Sequence, residues 1–105
     1  MAVVDGVLFE GCDHPLFWSM GGFSPVCPPL LVNGRPAYQA ADGRRVYLYF
    51  NGEQRLWVVS TAERDMRAGR NAGTMHTDEE TDAETPDQVT GQWKVWKRVC
   101  LYELR

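Results

Sequence analysis

Asp42-Gly43 and Asn51-Gly52, nine residues apart, bracket the run Arg45-Val46-Tyr47-Leu48-Tyr49-Phe50. Gly, Asn and Asp accept φ > 0 at low cost, so both dipeptides suit hairpin turns. The run between them is β-branched and aromatic, and too short for a stable helix. Residues 34–60, GRPAYQAADGRRVYLYFNGEQRLWVVS, therefore read as three antiparallel strands joined by two tight turns. In the middle strand Val46, Leu48 and Phe50 share one face, and Tyr47 and Tyr49 the other. Tyrosines stand where a solvated face would carry charges, so both faces are expected to be at least half covered. The third strand, Leu56-Trp57-Val58-Val59-Ser60, is apolar on both faces, and Trp57 is assigned to the core. Pro36 has no ladder donor, so residues 36–39 read as an edge or a strand entry. Tyr38, Tyr47, Tyr49 and Trp57 are expected to form a cross-strand aromatic cluster, each pair contributing roughly 0.2–1 kcal/mol.

Gly34-Arg35-Pro36-x-Tyr38, then Asp42-Gly43, then Tyr47-Leu48-Tyr49-Phe50, then Arg55-Leu56-Trp57-Val58-Val59-Ser60 resembles an uncharacterised β-rich module of mostly eukaryotic proteins. There a "GRPxY…DG…YLYF…W" unit is followed by an acidic or proline-containing loop and a further tryptophan. Pro86 and Trp93 stand in the matching places here. The resemblance implies a β-rich fold and carries no activity, cofactor or catalytic residue.

Away from this centre the signals are mixed. Residues 2–10 read as a strand with a bulge or turn at Gly6, and residues 16–23 as a strand or irregular apolar segment. Residues 24–36 contain Pro25, Pro28, Pro29 and Pro36, which excludes a helix interior or central strand. Val26 and Leu30-Leu31-Val32 are expected to tuck a loop or short strand against the core, with Asn33-Gly34 turning the chain into the meander. Residues 61–70 read either as one or two helical turns capped by Thr61, with Arg64, Arg67 and Arg70 along one face, or as an irregular loop. Residues 71–92 hold six acids and no Lys or Arg, the pattern of a solvated, mobile loop. Residues 93–104 alternate as one long strand, or as two with a bulge near Lys97-Arg98. The expected fold is mainly β. It is a single small domain over residues 1–105, an antiparallel meander sheet or small barrel or sandwich, with a long polar loop at about 61–92 and at most one short helix.

With 105 residues, 44% of them hydrophobic, one core is expected without help from a metal or disulfide. The net charge of −3 argues against a nucleic-acid partner. Arg44, Arg45 and Arg55 read as solubility and edge protection before they read as a basic patch. No apolar run reaches the length of a membrane span, and the amino terminus shows no signal-peptide pattern. Three widely spaced cysteines, Cys12, Cys27 and Cys100, suit reduced thiols in an intracellular, cytoplasmic protein. An exposed hairpin edge also offers a route to a homodimer.

Four chemistries compete for the remaining residues. Cys12, His14 and Cys27, with His76, are the candidate zinc ligands, but the chain has no Cys-x-x-Cys knuckle, so a turn at Asp13-His14-Pro15 with buried, inert cysteines is the reading preferred. The same residues supply a paper hydrolase without any nucleophile signature around them. The acidic run lacks the glycine and terminal glutamate of an EF-hand loop. Four tryptophans are many for this length, and on an exposed face they act as anchors for a protein or for sugar rings. The function expected is a non-catalytic interaction module, without cofactor, that binds a protein or peptide through an aromatic face. Its candidate residues are Trp18, Tyr47, Tyr49 and Trp96. A carbohydrate-binding module and a small hydrolase or zinc site are the alternatives.

Overall fold

A computed structural model of the chain describes residues 22–70, 75–89, 92–95 and 101–103. The elements in order are β1 (Phe23–Pro25), β2 (Leu31–Val32), β3 (Arg35–Pro36), β4 (Tyr38–Ala40), β5 (Tyr47–Asn51), β6 (Leu56–Ser60), α1 (Glu63–Ala68), β7 (Met75–Thr77), a 3-10 turn (Pro86–Gln88), β8 (Gln92–Val95) and β9 (Leu101–Glu103). Seven strands form one antiparallel sheet in the order β1-β4-β5-β6-β7-β8-β9, and β2 and β3 form a separate hairpin. Among the described residues the fold is thus mainly β, a meander with one short helix. The expected strand at residues 2–10 lies outside the described residues, as does the expected strand or irregular apolar segment at 16–23 apart from its last two residues, of which Phe23 opens β1.

The central meander forms as its alternation requires, though not with the two tight turns expected. β5 pairs antiparallel with both β4 and β6. Every residue of β5 is buried, because both faces are covered. On the first face Tyr38, Leu48, Phe50, Trp57, Val59, Met75 and Trp93 pack together. On the second, Tyr47, Tyr49 and Val58 pack against Val32, Ala37 and Met66. Met66 is the buried residue of α1 and packs the helix against this face of the sheet.

Several expectations need correction. The four-membered aromatic cluster is split. Tyr38 lies opposite Leu48 in the register, and so joins Trp57 on the first face at a ring separation of 6.4 Å. Tyr47 and Tyr49 lie on the second face. Trp57 also meets Phe50 edge-on at 5.5 Å. At the second turn the left-handed residue is Arg55 (φ 58°), not Gly52. Asn51 uses its side-chain oxygen to accept the Gln54 N–H at 2.8 Å, which closes a wider loop over residues 52–55. The left-handed pair Asn33 (φ 52°) and Gly34 (φ 79°) sits instead in the β2–β3 hairpin, the two-residue turn this dipeptide favours.

Residues 61–70 do contain a helix, but Thr61 does not cap it. The residue before α1 is Ala62, without a side-chain cap bond, and the Ser60 hydroxyl accepts the Ala62 N–H at 3.2 Å. Thr61→Ala is therefore expected to change stability by less than about 0.5 kcal/mol. Ser60→Ala should cost about 1 kcal/mol. Urea unfolding of the two variants checks this, and a larger loss from Thr61→Ala than from Ser60→Ala would refute it.

Residues 78–89 are not a solvated loop throughout. Thr85, Pro86 and Val89 are buried, and Val89 and Ala83 pack on the first face. The acids face outward while the small and apolar residues between them turn in. β7 lies inside the stretch expected to be loop, paired with β6 and β8. Residues 93–104 are not one strand either. β8 and β9 pair antiparallel, Trp93 opposite Tyr102, so the chain reverses between them.

Candidate functional site

Residues 80–84 are held against the first face by three side chains from distant parts of the chain. Arg35, in β3, donates from Nε to the Ala83 carbonyl at 3.0 Å and from its terminal nitrogen to the Asp82 carbonyl at 3.1 Å. The Trp57 indole N–H donates to the same Ala83 carbonyl at 3.0 Å. Arg55 binds the Asp82 carboxylate and lies 3.7 Å from that of Glu80, and its own carbonyl accepts the Thr81 N–H at 2.8 Å. The Arg35 guanidinium stacks on the Phe50 ring, 4.0 Å from its centroid. Stacking fixes the plane of the fork, and a fixed fork loses less freedom when it binds a carbonyl.

This clamp contains two kinds of recognition. Arg35 and Trp57 bind main-chain carbonyls, a contact independent of side-chain identity. Arg55 binds carboxylates. The sequence signals for it are slight. Trp57 was legible as core, but nothing in a short Gly-Arg-Pro hairpin links Arg35 to a carbonyl 48 residues away.

The second face carries two clefts beside α1. One, of about 410 Å³, is lined by Asn33, Asn51, Glu53, Gln54, Ala68, Gly69 and Arg70. Its floor is a structural knot. Asn51 donates to the Gly69 carbonyl at 2.7 Å, and Asn33 to the Phe50 carbonyl at 2.8 Å. The Tyr49 hydroxyl donates to the Arg70 carbonyl. The other cleft, of about 490 Å³, is lined by Arg45, Tyr47, Thr61, Ala62, Glu63 and Arg64. There the Tyr47 hydroxyl donates to Glu63 at 3.3 Å, and Arg67 pairs with the same carboxylate at 3.2 Å.

Burial, and then the Glu63 charge, raise the Tyr47 phenol above its ordinary range. The Arg67 hydrogen bond and charge, helped by Tyr47, hold Glu63 below the usual carboxylate range. A raised folded-state pKa stabilises below the unfolded value and is lost as pH rises through the folded one. Stability is therefore expected to fall as pH climbs past about 10, the unfolded tyrosine value. Tyr47→Phe should flatten that alkaline limb relative to the parent chain. Glu63 works in the opposite direction, its contribution fading as pH falls below about 4.3. Urea midpoints measured from pH 3 to 11 test both, and parallel alkaline limbs for the parent and Tyr47→Phe would refute the first.

The candidate residues are dispersed. Tyr47 and Tyr49 are 4% and 0% exposed, so neither offers a ring face to a ligand here. Trp18, Trp96, Cys12 and His14 lie outside the described residues. Cys27 is a free thiol but exposed, not buried as expected. His76, in β7, has Nδ1 2.6 Å from the Thr77 carbonyl. Among the described residues no group of three His, Cys, Asp or Glu is placed to hold a metal ion. Of the three arginines weighed as a basic patch, Arg44 pairs with Asp42, and Arg55 with Glu80 and Asp82.

No family model, curated protein or solved structure matches this chain. Geometry alone therefore carries the functional reading. Among the described side chains every tyrosine and tryptophan is buried, so they form no platform for stacking sugars. No helix among the described residues is long and apolar enough to cross a membrane.

Proposed function

We propose that this chain is a non-catalytic interaction domain that binds an extended segment of a protein or peptide on its aromatic face, around Trp57, Phe50 and Arg35. One observation carries the reading. Two donors from different strands converge on a single main-chain carbonyl, that of Ala83. Main-chain recognition of an extended segment, with side chains left to set preference, is how many domains hold peptides. Here the groove is filled by the chain's own residues 81–83, so a partner must take their place. The proposal includes an intracellular setting, which the exposed free thiol of Cys27 supports.

Selection of an unbiased displayed-peptide library on the full chain tests the reading. Enriched peptides should shift the Trp57 indole N–H signal in an NMR correlation spectrum. Arg35→Ala should weaken them about 10-fold or more, the size expected when a charged hydrogen bond is lost. Failure to enrich any peptide, or binding that leaves the indole signal and the Arg35→Ala affinity unchanged, would overturn it.

A further inference from the structure

We propose that the clamp of Arg35, Arg55 and Trp57 is a receptor for an acidic peptide, and that residues 80–84 occupy it in cis as an autoinhibitory strap. This rests on the binding function proposed above and names its partner class.

The chemistry of the occupant sets the preference. Arg55 takes the Asp82 carboxylate and lies beside that of Glu80, while Arg35 takes the Asp82 and Ala83 carbonyls. Asp78, Glu79, Glu80, Asp82 and Glu84 are all exposed, and none of residues 71–93 is Lys or Arg. A basic peptide would meet two guanidinium groups and this acidic segment's anchors without a carboxylate to offer in return. An acidic one reproduces every polar contact the strap makes.

The anchors on either side allow exchange without unfolding. Thr77 is buried in β7 and paired opposite Trp93, and Thr85 and Pro86 are buried at the 3-10 turn. Between them Glu80, Asp82 and Glu84 are exposed while Thr81 and Ala83 are half-buried, and the ion pairs are exposed on both partners. Such pairs hold weakly and are screened by salt. The stronger restraint is the indole N–H of Trp57, which is fully buried and needs an acceptor. An incoming main-chain carbonyl supplies one, so the exchange conserves hydrogen bonds. The strap's advantage is its tether, equivalent to an effective concentration on the order of millimolar. Weakening its carboxylates lowers that barrier.

The probe is a fluorescein-labelled peptide with the chain's own residues 78–85, followed by anisotropy against the full chain. Binding should be about 10-fold or more tighter to the Glu80→Gln/Asp82→Asn double variant than to the parent, since the competing strap has lost its charged contacts. Arg55→Glu in that background should abolish it, and added salt should weaken it. The Trp57 indole signal should move on binding, and a dispersed spectrum certifies each variant's fold. Should Arg55→Glu fail to fold, Arg55→Gln replaces it, with a loss of about 10-fold expected. A folded double variant that leaves the peptide unbound, or binding indifferent to Arg55, overturns the proposal. Library peptides that bind at Trp57 without an excess of acids would overturn it too, while leaving the general binding function standing.

Discussion

Replacing Trp57 by Ala is expected to lower stability by about 3–5 kcal/mol, the range for emptying a large aromatic site in a core. For a domain of this length total stability is on the order of 5–15 kcal/mol, so the variant sits near the edge of folding at 25 °C. The reason is the number of parts that meet on one side chain. Trp57 is 0% exposed, packs against Tyr38 and edge-on against Phe50, and donates its indole N–H to Ala83. Trp57→Phe separates the contributions. It keeps most of the ring burial, removes the hydrogen bond and leaves Ala83 to Arg35 alone. Its expected cost is smaller, about 1–3 kcal/mol, from the lost bond and the partial cavity. Guanidinium unfolding of both variants checks the order. A loss below about 1 kcal/mol for Trp57→Ala would mean that the first face is far more loosely packed than its contacts imply.

Gly69→Ala is the second large effect, and its cause is different. Gly69 ends α1 in the left-handed region at φ 67°, with its N–H returned to the helix carbonyls of Asp65 and Met66. A side chain there costs about 1–2 kcal/mol from conformation alone. An added Cβ would also stand 2.3 Å from Asn33 Nδ2. That nitrogen is the end of a flexible side chain, so it would swing away and forfeit its bond to the Phe50 carbonyl. The lost bond adds about 1 kcal/mol, for a total of about 2–3 kcal/mol. The same geometry predicts non-additivity. Asn33→Ala removes the obstacle, so Gly69→Ala should cost less in that background, by about 1 kcal/mol. Strict additivity in a double-mutant cycle would show that Asn33 does not sense the Cβ.

What the sequence makes legible is local. Alternation in residues 46–50 and 56–60 reveals both sheet faces, and Trp57 falls in the core as its neighbours demand. Register is harder. A two-residue turn at Asp42-Gly43 would set Tyr38 opposite Tyr47, whereas the longer connection actually used sets it opposite Leu48. That single step moves Tyr38 to the face of Trp57, which pairs with Phe50 and so stands apart from Tyr47 and Tyr49 in either register. β7 is hidden because Met75-His76-Thr77 is too short to show a period, and its strand character comes from its partners β6 and β8. The β8–β9 reversal is hidden because no glycine, proline or asparagine marks it. The clamp is the least legible part. Charge counting reads residues 78–87 as water-seeking, and sees neither Ala83 packing inward nor the carbonyls that Arg35 and Trp57 select.

The strand order has a consequence for how the chain assembles. The hairpin of β2 and β3 is a detour, and otherwise each strand of the sheet pairs with the next in sequence. The widest described pairing, Met75 with Val95, spans 20 residues, so the sheet can grow one short loop closure at a time. The Arg35–Ala83 bond is of another order, joining positions 48 residues apart after both hairpin and sheet edge exist. The clamp is therefore expected to engage last during folding and to let go first, so Arg35→Ala should speed unfolding in stopped-flow measurements and leave the folding rate unchanged.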